Sequence, residues 1–151
     1  MCRLSVILSA NSGINCGTNR VQSTQRISGC VSTRSVCTHT PDVVVVCDDQ
    51  QFLDSELDTL LNPVLIVEVL SETTKNYDRG EKFERYRSIA SFREYVLVAQ
   101  DKIHVEQFTR QPDGTWTLAE TNSIGDTLAL SSISCRVPLS EIYLKVQIPT
   151  H

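Results

Sequence analysis

The clearest regularities in this chain begin after Pro41. Val43-Val44-Val45-Val46-Cys47 is a compact β-branched run, which predicts a buried strand. Pro63 opens a second run, Val64-Leu65-Ile66-Val67-Glu68-Val69-Leu70, at a strand start where no ladder donor is required of a proline. Alternation puts Val64, Ile66, Glu68 and Leu70 on one face and Leu65, Val67 and Val69 on the other. Both faces are apolar, so this strand is expected to be central. The period then changes. Asp78, with Glu81 three residues on, predicts a helix N-cap with a capping box, and Phe83, Tyr86 and Ala90 supply an apolar stripe at helical spacing. Tyr95-Val96-Leu97-Val98-Ala99 predicts another buried strand, and strand, helix, strand in this order predicts a β-α-β crossover.

The remainder alternates more openly. Residues 103–109 and 115–121 flank Gln111-Pro112-Asp113-Gly114, a turn sequence that predicts a β-hairpin. Thr127–Leu130 predicts a short strand. Leu139, Ile142 and Tyr143 predict a last helix over 138–146, with Pro138 at its first turn. Residues 48–61, acidic with spaced leucines, read as a loop with a helical turn. The fold class expected is α/β, a mixed, partly antiparallel sheet flanked by helices.

The first 41 residues differ in kind. They hold no Asp or Glu, four of the six cysteines, twelve Ser or Thr, and Arg3, Arg20, Arg26 and Arg34. Neither period persists there, so residues 1–40 are expected to be a poorly structured segment before a domain over 41–148. The later part carries ten bases against 18 acids, a formal charge of −8. The whole chain, at −4, does not present a broadly basic surface for coating nucleic acid. Local positive charge around a metal site is still compatible with nuclease chemistry. No cysteines are spaced C-x-x-C, so neither a structural zinc site nor a disulfide framework is expected, and Cys47 reads as a small buried hydrophobe. No apolar run reaches 18 residues and no signal-peptide core stands at the start, so a cytoplasmic protein with no membrane partner is expected.

Three residues could carry chemistry. Glu68 is the only charge between Pro63 and Leu70. If buried, it needs a metal, a cationic partner or a raised pKa; alternatively it sits at an open strand end, wetted by solvent. Asp42 heads the preceding strand, where Pro-Asp is also an ordinary turn dipeptide. Lys82 lies four residues after Asp78 and four before Tyr86, so the three share a helical face; they equally suit a capping Asp, a solvated Lys and a core Tyr. Two carboxylates on adjacent strands can share a hard divalent cation such as Mg²⁺, with Mn²⁺ as an alternative. A nearby lysine can then stabilise a phosphoryl group.

Four blocks together resemble the Uma-two family of restriction-endonuclease-like proteins in the PD-(D/E)XK nuclease superfamily. They are Pro41-Asp42-Val43-Val44-Val45-Val46, then Val64 through Ser71, then Asp78-Arg79-Gly80-Glu81-Lys82-Phe83-Glu84-Arg85-Tyr86, then Arg93 through Val98. The resemblance runs from about Pro41 to Val146. It implies a restriction-endonuclease-like fold and a metal-dependent endonuclease acting on DNA. It also implies that Asp42 and Glu68 are metal ligands, that Lys82 is the catalytic lysine, and that Asp78 and Tyr86 support it. The usual superfamily lysine position, two residues after the acid, is Leu70 here; Lys82 supplies the amine from the following helix. Residues 1–40 do not resemble the family's N-terminal region, so the chain is expected to be truncated or altered there. The alternative is therefore a catalytically inactive nuclease-fold protein acting as an interaction or accessory module, with Glu68 and Lys82 only a structural ion pair. Cutting both strands of a duplex suits a homodimer.

Overall fold

The computed structural model describes residues 5–8, 29–32, 35–37, 41–47, 49–53, 59–71, 73–144 and 146. Its main sheet has six strands: β1 (Ser5–Leu8), β4 (Val43–Val46), β6 (Leu65–Leu70), β7 (Glu94–Ala99), β8 (Val105–Arg110) and β9 (Trp116–Thr121), in that spatial order. β6 and β7 run parallel, and the other neighbours are antiparallel. A helical segment joins β6 to β7: α1 (Lys75–Tyr77), a π-helical turn (Asp78–Lys82) and α2 (Phe83–Tyr86). This is the crossover the sequence predicts. β2 (Gly29–Ser32), β3 (Ser35–Cys37) and β5 (Thr59–Leu60) form a small second sheet, and β10 (Thr127–Leu130) pairs with β11 (Cys135–Pro138). β1, β2 and β3 fall within residues 1–40. Of residues 48–61, where a loop with a helical turn is expected, 49–53 and 59–61 are described and hold no helix: Thr59–Leu60 is β5 and Phe52 bridges to Leu60, while 48 and 54–58 lie outside the described residues.

The alternation of apolar side chains divides the core into two layers, one on each face of the sheet. Val44, Val46, Ile66, Leu70, Tyr95 and Leu97 face the helical segment and pack with Tyr86, Ile89 and Phe92. Val45, Leu65, Val96, Val98 and Val105 face the β10–β11 hairpin and α3 (Leu139–Ile142). Aromatic rings fix the first layer. Phe83 stacks on Tyr95 with centroids 5.4 Å apart and meets Trp116 edge-on at 5.1 Å. The helical segment is thereby seated over the middle of the sheet, which sets where its polar residues point.

Four local expectations change. The helix starts at Lys75, so Asp78 lies inside it and caps nothing. Ala90 lies beyond the helix and is exposed. The last helix spans only Leu139–Ile142, and Pro138 precedes it in an extended conformation. Cys47 is half-buried, and Cys47 and Cys135 are both disulfide-bonded. Cysteine spacing along the chain does not encode which sulfurs the fold brings together.

The β8–β9 turn forms as predicted. Gln111 N–H donates to the Thr115 carbonyl at 2.8 Å, and the Asp113 carboxylate accepts from Thr115 N–H at 2.9 Å. Gly114 sits at φ +85°, with open space where a Cβ would be. Its substitution therefore costs backbone strain and no clash. Gly114→Ala is expected to destabilise the chain by about 1 kcal/mol, read as a lower denaturation midpoint. An unchanged midpoint would mean the turn does not hold a positive φ in solution.

Candidate functional site

The strand registers line up a polar rank on the helix-covered face. Glu68 on β6 lies beside Leu97 on β7, Leu97 beside Glu106 on β8, and Glu106 beside Glu120 on β9. The β4–β6 register pairs Val43 with Val67, and one further step sets Asp42 opposite Glu68. Opposite residues on paired strands point to the same face. Asp42, Glu68, Glu106 and Glu120 thus lie across one face of the sheet at strand spacing, Glu68 and Glu106 buried and Glu120 exposed.

The π-helical turn closes over this rank. Lys82 Nζ stands 3.2 Å from Glu68 Oε1 and 2.8 Å from Asp78 Oδ1. Tyr86 OH donates to Glu68 Oε1 at 3.2 Å, and Tyr95 OH donates to the Asp78 carbonyl at 3.0 Å. Asp42 Oδ2 accepts the Val69 N–H at 2.7 Å, which ties the head of β4 to the residue after Glu68. Glu68 is 2% exposed. Asp78 Oδ1 is buried, and no hydrogen bond of ordinary geometry reaches it among the described residues. Its 2.8 Å approach to the ammonium is a charge contact, and at that distance within a buried site the attraction is substantial. The structure brings Glu68, Lys82, Asp78 and Tyr86 together, with Asp42 at the adjoining register position. Single π-helical turns recur at functional sites.

Burial pushes the Glu68 carboxyl up to about 7 from an ordinary 4.5. The Lys82 ammonium pulls it down, and the charges of Asp42 and Asp78 push it up again. For Lys82, burial lowers the pKa, but Asp78 and Glu68 outweigh it and hold the ammonium above its ordinary range. The two partners therefore pull in different senses: Lys82 favours a charged pair, while Glu68 leans towards its neutral form. Asp78 resolves this. It is the nearer carboxylate and leads the interactions that hold Lys82 protonated against its burial.

A model of the Uma2 family, described as "Putative restriction endonuclease", matches residues 22–138. The chain belongs to the Uma2 family. The match begins inside the segment that the four sequence blocks leave uncovered. Two curated relatives from Synechocystis sp. are the uncharacterized proteins sll1609, 38% identical over 80 residues, and slr1290, 34% identical over 103 residues. These alignments cover 53% and 68% of this chain but 45% and 53% of the relatives, so the chain spans about half their length. The crystal structure of "a putative nuclease belonging to DUF820" from Anabaena variabilis shares the fold, with a TM-score of 0.55 at 11% identity. The similarity covers 79% of this chain and 66% of that one.

Around Glu68 and Lys82 stand charged residues that the sequence patterns pass over. Arg79 Nε donates to both Glu106 oxygens, at 3.0 and 2.9 Å. His104 Nε2 lies 3.3 Å from Glu106 and 3.5 Å from Glu120. His104, Glu106 and Glu120 offer three potential ligand atoms within 4.8 Å of one another. Both Glu106 oxygens are already committed to a guanidinium, so this group reads as a salt-bridge network. Glu94, fully buried, takes hydrogen bonds from Gln107 and from Ser132, and so fastens β7 to the 3-10 turn Ser131–Ile133. Glu106 stands among His104, Gln107 and Thr109, so the signal that marks Glu68, one acid inside an apolar run, is missing there.

Proposed function

We propose that this chain hydrolyses phosphodiester bonds in DNA with the help of a divalent cation held by Asp42 and Glu68. The observation that carries the reading is the meeting of Asp42, Glu68 and Lys82. Asp42, one residue before β4, falls opposite Glu68 when the β4–β6 register is extended by one step, and the ammonium stands 3.2 Å from Glu68. Family membership and a fold shared with a protein described as a "putative nuclease" support it.

The donor set fits a hard cation. Glu68 makes its contacts through Oε1 and Asp42 through Oδ2, which leaves one oxygen of each uncommitted among the described residues. Two such carboxylates suit Mg²⁺ or Mn²⁺, which keep several waters. When bound, the ion supplies Lewis acidity towards a phosphoryl oxygen and acidifies a water. The protein's own residues do the rest. Tyr86 orients Glu68, and Asp78 keeps Lys82 protonated. Lys82 is placed to donate hydrogen bonds to a phosphate oxygen as negative charge builds there.

Incubating purified protein with supercoiled plasmid in Mg²⁺, Mn²⁺ or EDTA tests this. Nicked or linear DNA in either metal, and none in EDTA, is expected. Cutting indifferent to chelation would refute the metal. No cutting by a demonstrably folded chain would favour an inactive accessory module on the same fold.

A further inference from the structure

We infer that Arg79 and Glu106 are positioning residues, a clamp that fixes the rotation of the π-helical turn so that Lys82 meets Glu68. The role assigned to Lys82 rests on the reading above; the clamp itself rests on geometry.

Three neighbouring strands hold one helical turn. On β6, Glu68 engages Lys82. On β7, Tyr95 OH reaches the carbonyl of Asp78. On β8, Glu106 engages Arg79 through both carboxylate oxygens. Neighbouring strands lie about 4.8 Å apart, so Glu106 and Glu68 are separated by roughly 10 Å, with Leu97 between them. Arg79 lies one residue after Asp78 and three before Lys82. Their partners on β8 and β6 are spread across the sheet beneath the turn, so the two contacts together oppose rotation about the helix axis. Phe83, just after the turn, packs on Phe108 and Trp116 and anchors α2; the Arg79–Glu106 contact adds the hold on the π-helical turn itself, where rotation would carry Nζ away from Glu68.

The contact is suited to the task. Glu106 is 5% exposed, and the guanidinium meets it through two nitrogens, Nε on Oε2 at 2.9 Å and Nη2 on Oε1 at 2.5 Å, which fixes orientation where a lysine would supply only charge. Arg79 lowers the carboxyl pKa of Glu106 by hydrogen bonding, so the clamp stays ionised at neutral pH. His104, just before β8, and Glu120 on β9 flank Glu106. His104 also bonds Glu106 Oε1, and the charge of Glu120 adds to the field that holds Arg79, so both reinforce the Arg79–Glu106 contact.

The test reads Lys82 directly. In the wild type its side chain is 11% exposed, whereas Lys102 is exposed and serves as an internal reference. The full chain is treated with an amine-acetylating reagent at pH 8, and both lysines are followed by peptide mass spectrometry. Arg79→Ala should raise the labelling rate of Lys82 by about tenfold relative to Lys102, because the turn opens locally while the domain stays folded. Glu106→Gln, nearly isosteric, should give the same increase, and the double variant should add little to either single one. If Arg79→Ala fails to fold, Glu106→Gln decides. Lys82 labelling unchanged in a folded variant overturns the clamp. This readout needs no nuclease activity, so an inactive wild type would refute the nuclease reading and leave the clamp standing or falling on labelling alone. Where the wild type cuts DNA, kcat should fall about tenfold or more with KM little changed, as expected for a misplaced catalytic group.

Discussion

Lys82→Met is expected to destabilise the fold by about 3 kcal/mol at pH 8, because it leaves two buried carboxylates without their cation. Methionine keeps most of the aliphatic stem, so the loss reports charge more than packing. Asp78 Oδ1 loses the ammonium at 2.8 Å, and Glu68 Oε1 loses it at 3.2 Å. The effect should shrink at pH 5, where Glu68 is neutral. Adding Asp78→Asn to Lys82→Met should recover part of the stability at both pH values. Denaturant titration of the single and double variants measures this. A loss under about 1 kcal/mol at pH 8 would mean that water reaches the triad and the pairs are as weak as surface ones. In the plasmid assay the same variant should lower the rate by roughly 10²–10³-fold, the usual cost of removing one preorganised donor from a phosphoryl or oxyanion site.

Glu68→Gln is expected to abolish a specific pH dependence of stability. The folded-state pKa of Glu68, about 7, lies above its ordinary 4.5. A folded state that holds its proton more tightly than the unfolded chain loses stability as pH rises. The contribution of Glu68 is thus fully present below about 4.5 and is lost as pH climbs through about 7, by on the order of 3 kcal/mol. Glutamine cannot ionise, so the wild-type-minus-variant difference isolates this slope from other titrations, including the opposite one of Glu106. The experiment is denaturant unfolding in EDTA across pH 4 to 8. A flat difference would show that Glu68 titrates normally. If Asp42 and Glu68 hold a cation, added Mg²⁺ should stabilise the wild type more at pH 8 than at pH 5, since binding then displaces no proton.

The sequence alone determined much of the frame. Alternation in Val64–Leu70 marked a strand apolar on both faces, and β6 is indeed central, with Glu68 buried upon it. The crossover and the Gln111–Gly114 hairpin were equally legible, because local turn chemistry and hydrophobic period are written in neighbouring residues. Asp42, Glu68 and Lys82 could be singled out for the same reason, as charges at odds with their apolar surroundings or at helical spacing. Their convergence could not. It depends on the register that sets Asp42 opposite Glu68 and on a helix that starts at Lys75. That early start turns Asp78 from the expected cap into the nearer partner of Lys82. Arg79 and Glu106, 27 residues apart, had no local signature at all. Only the tertiary structure decided these contacts, because burial, and with it the strength of every charge pair here, arises when strands from distant parts of the chain exclude water together.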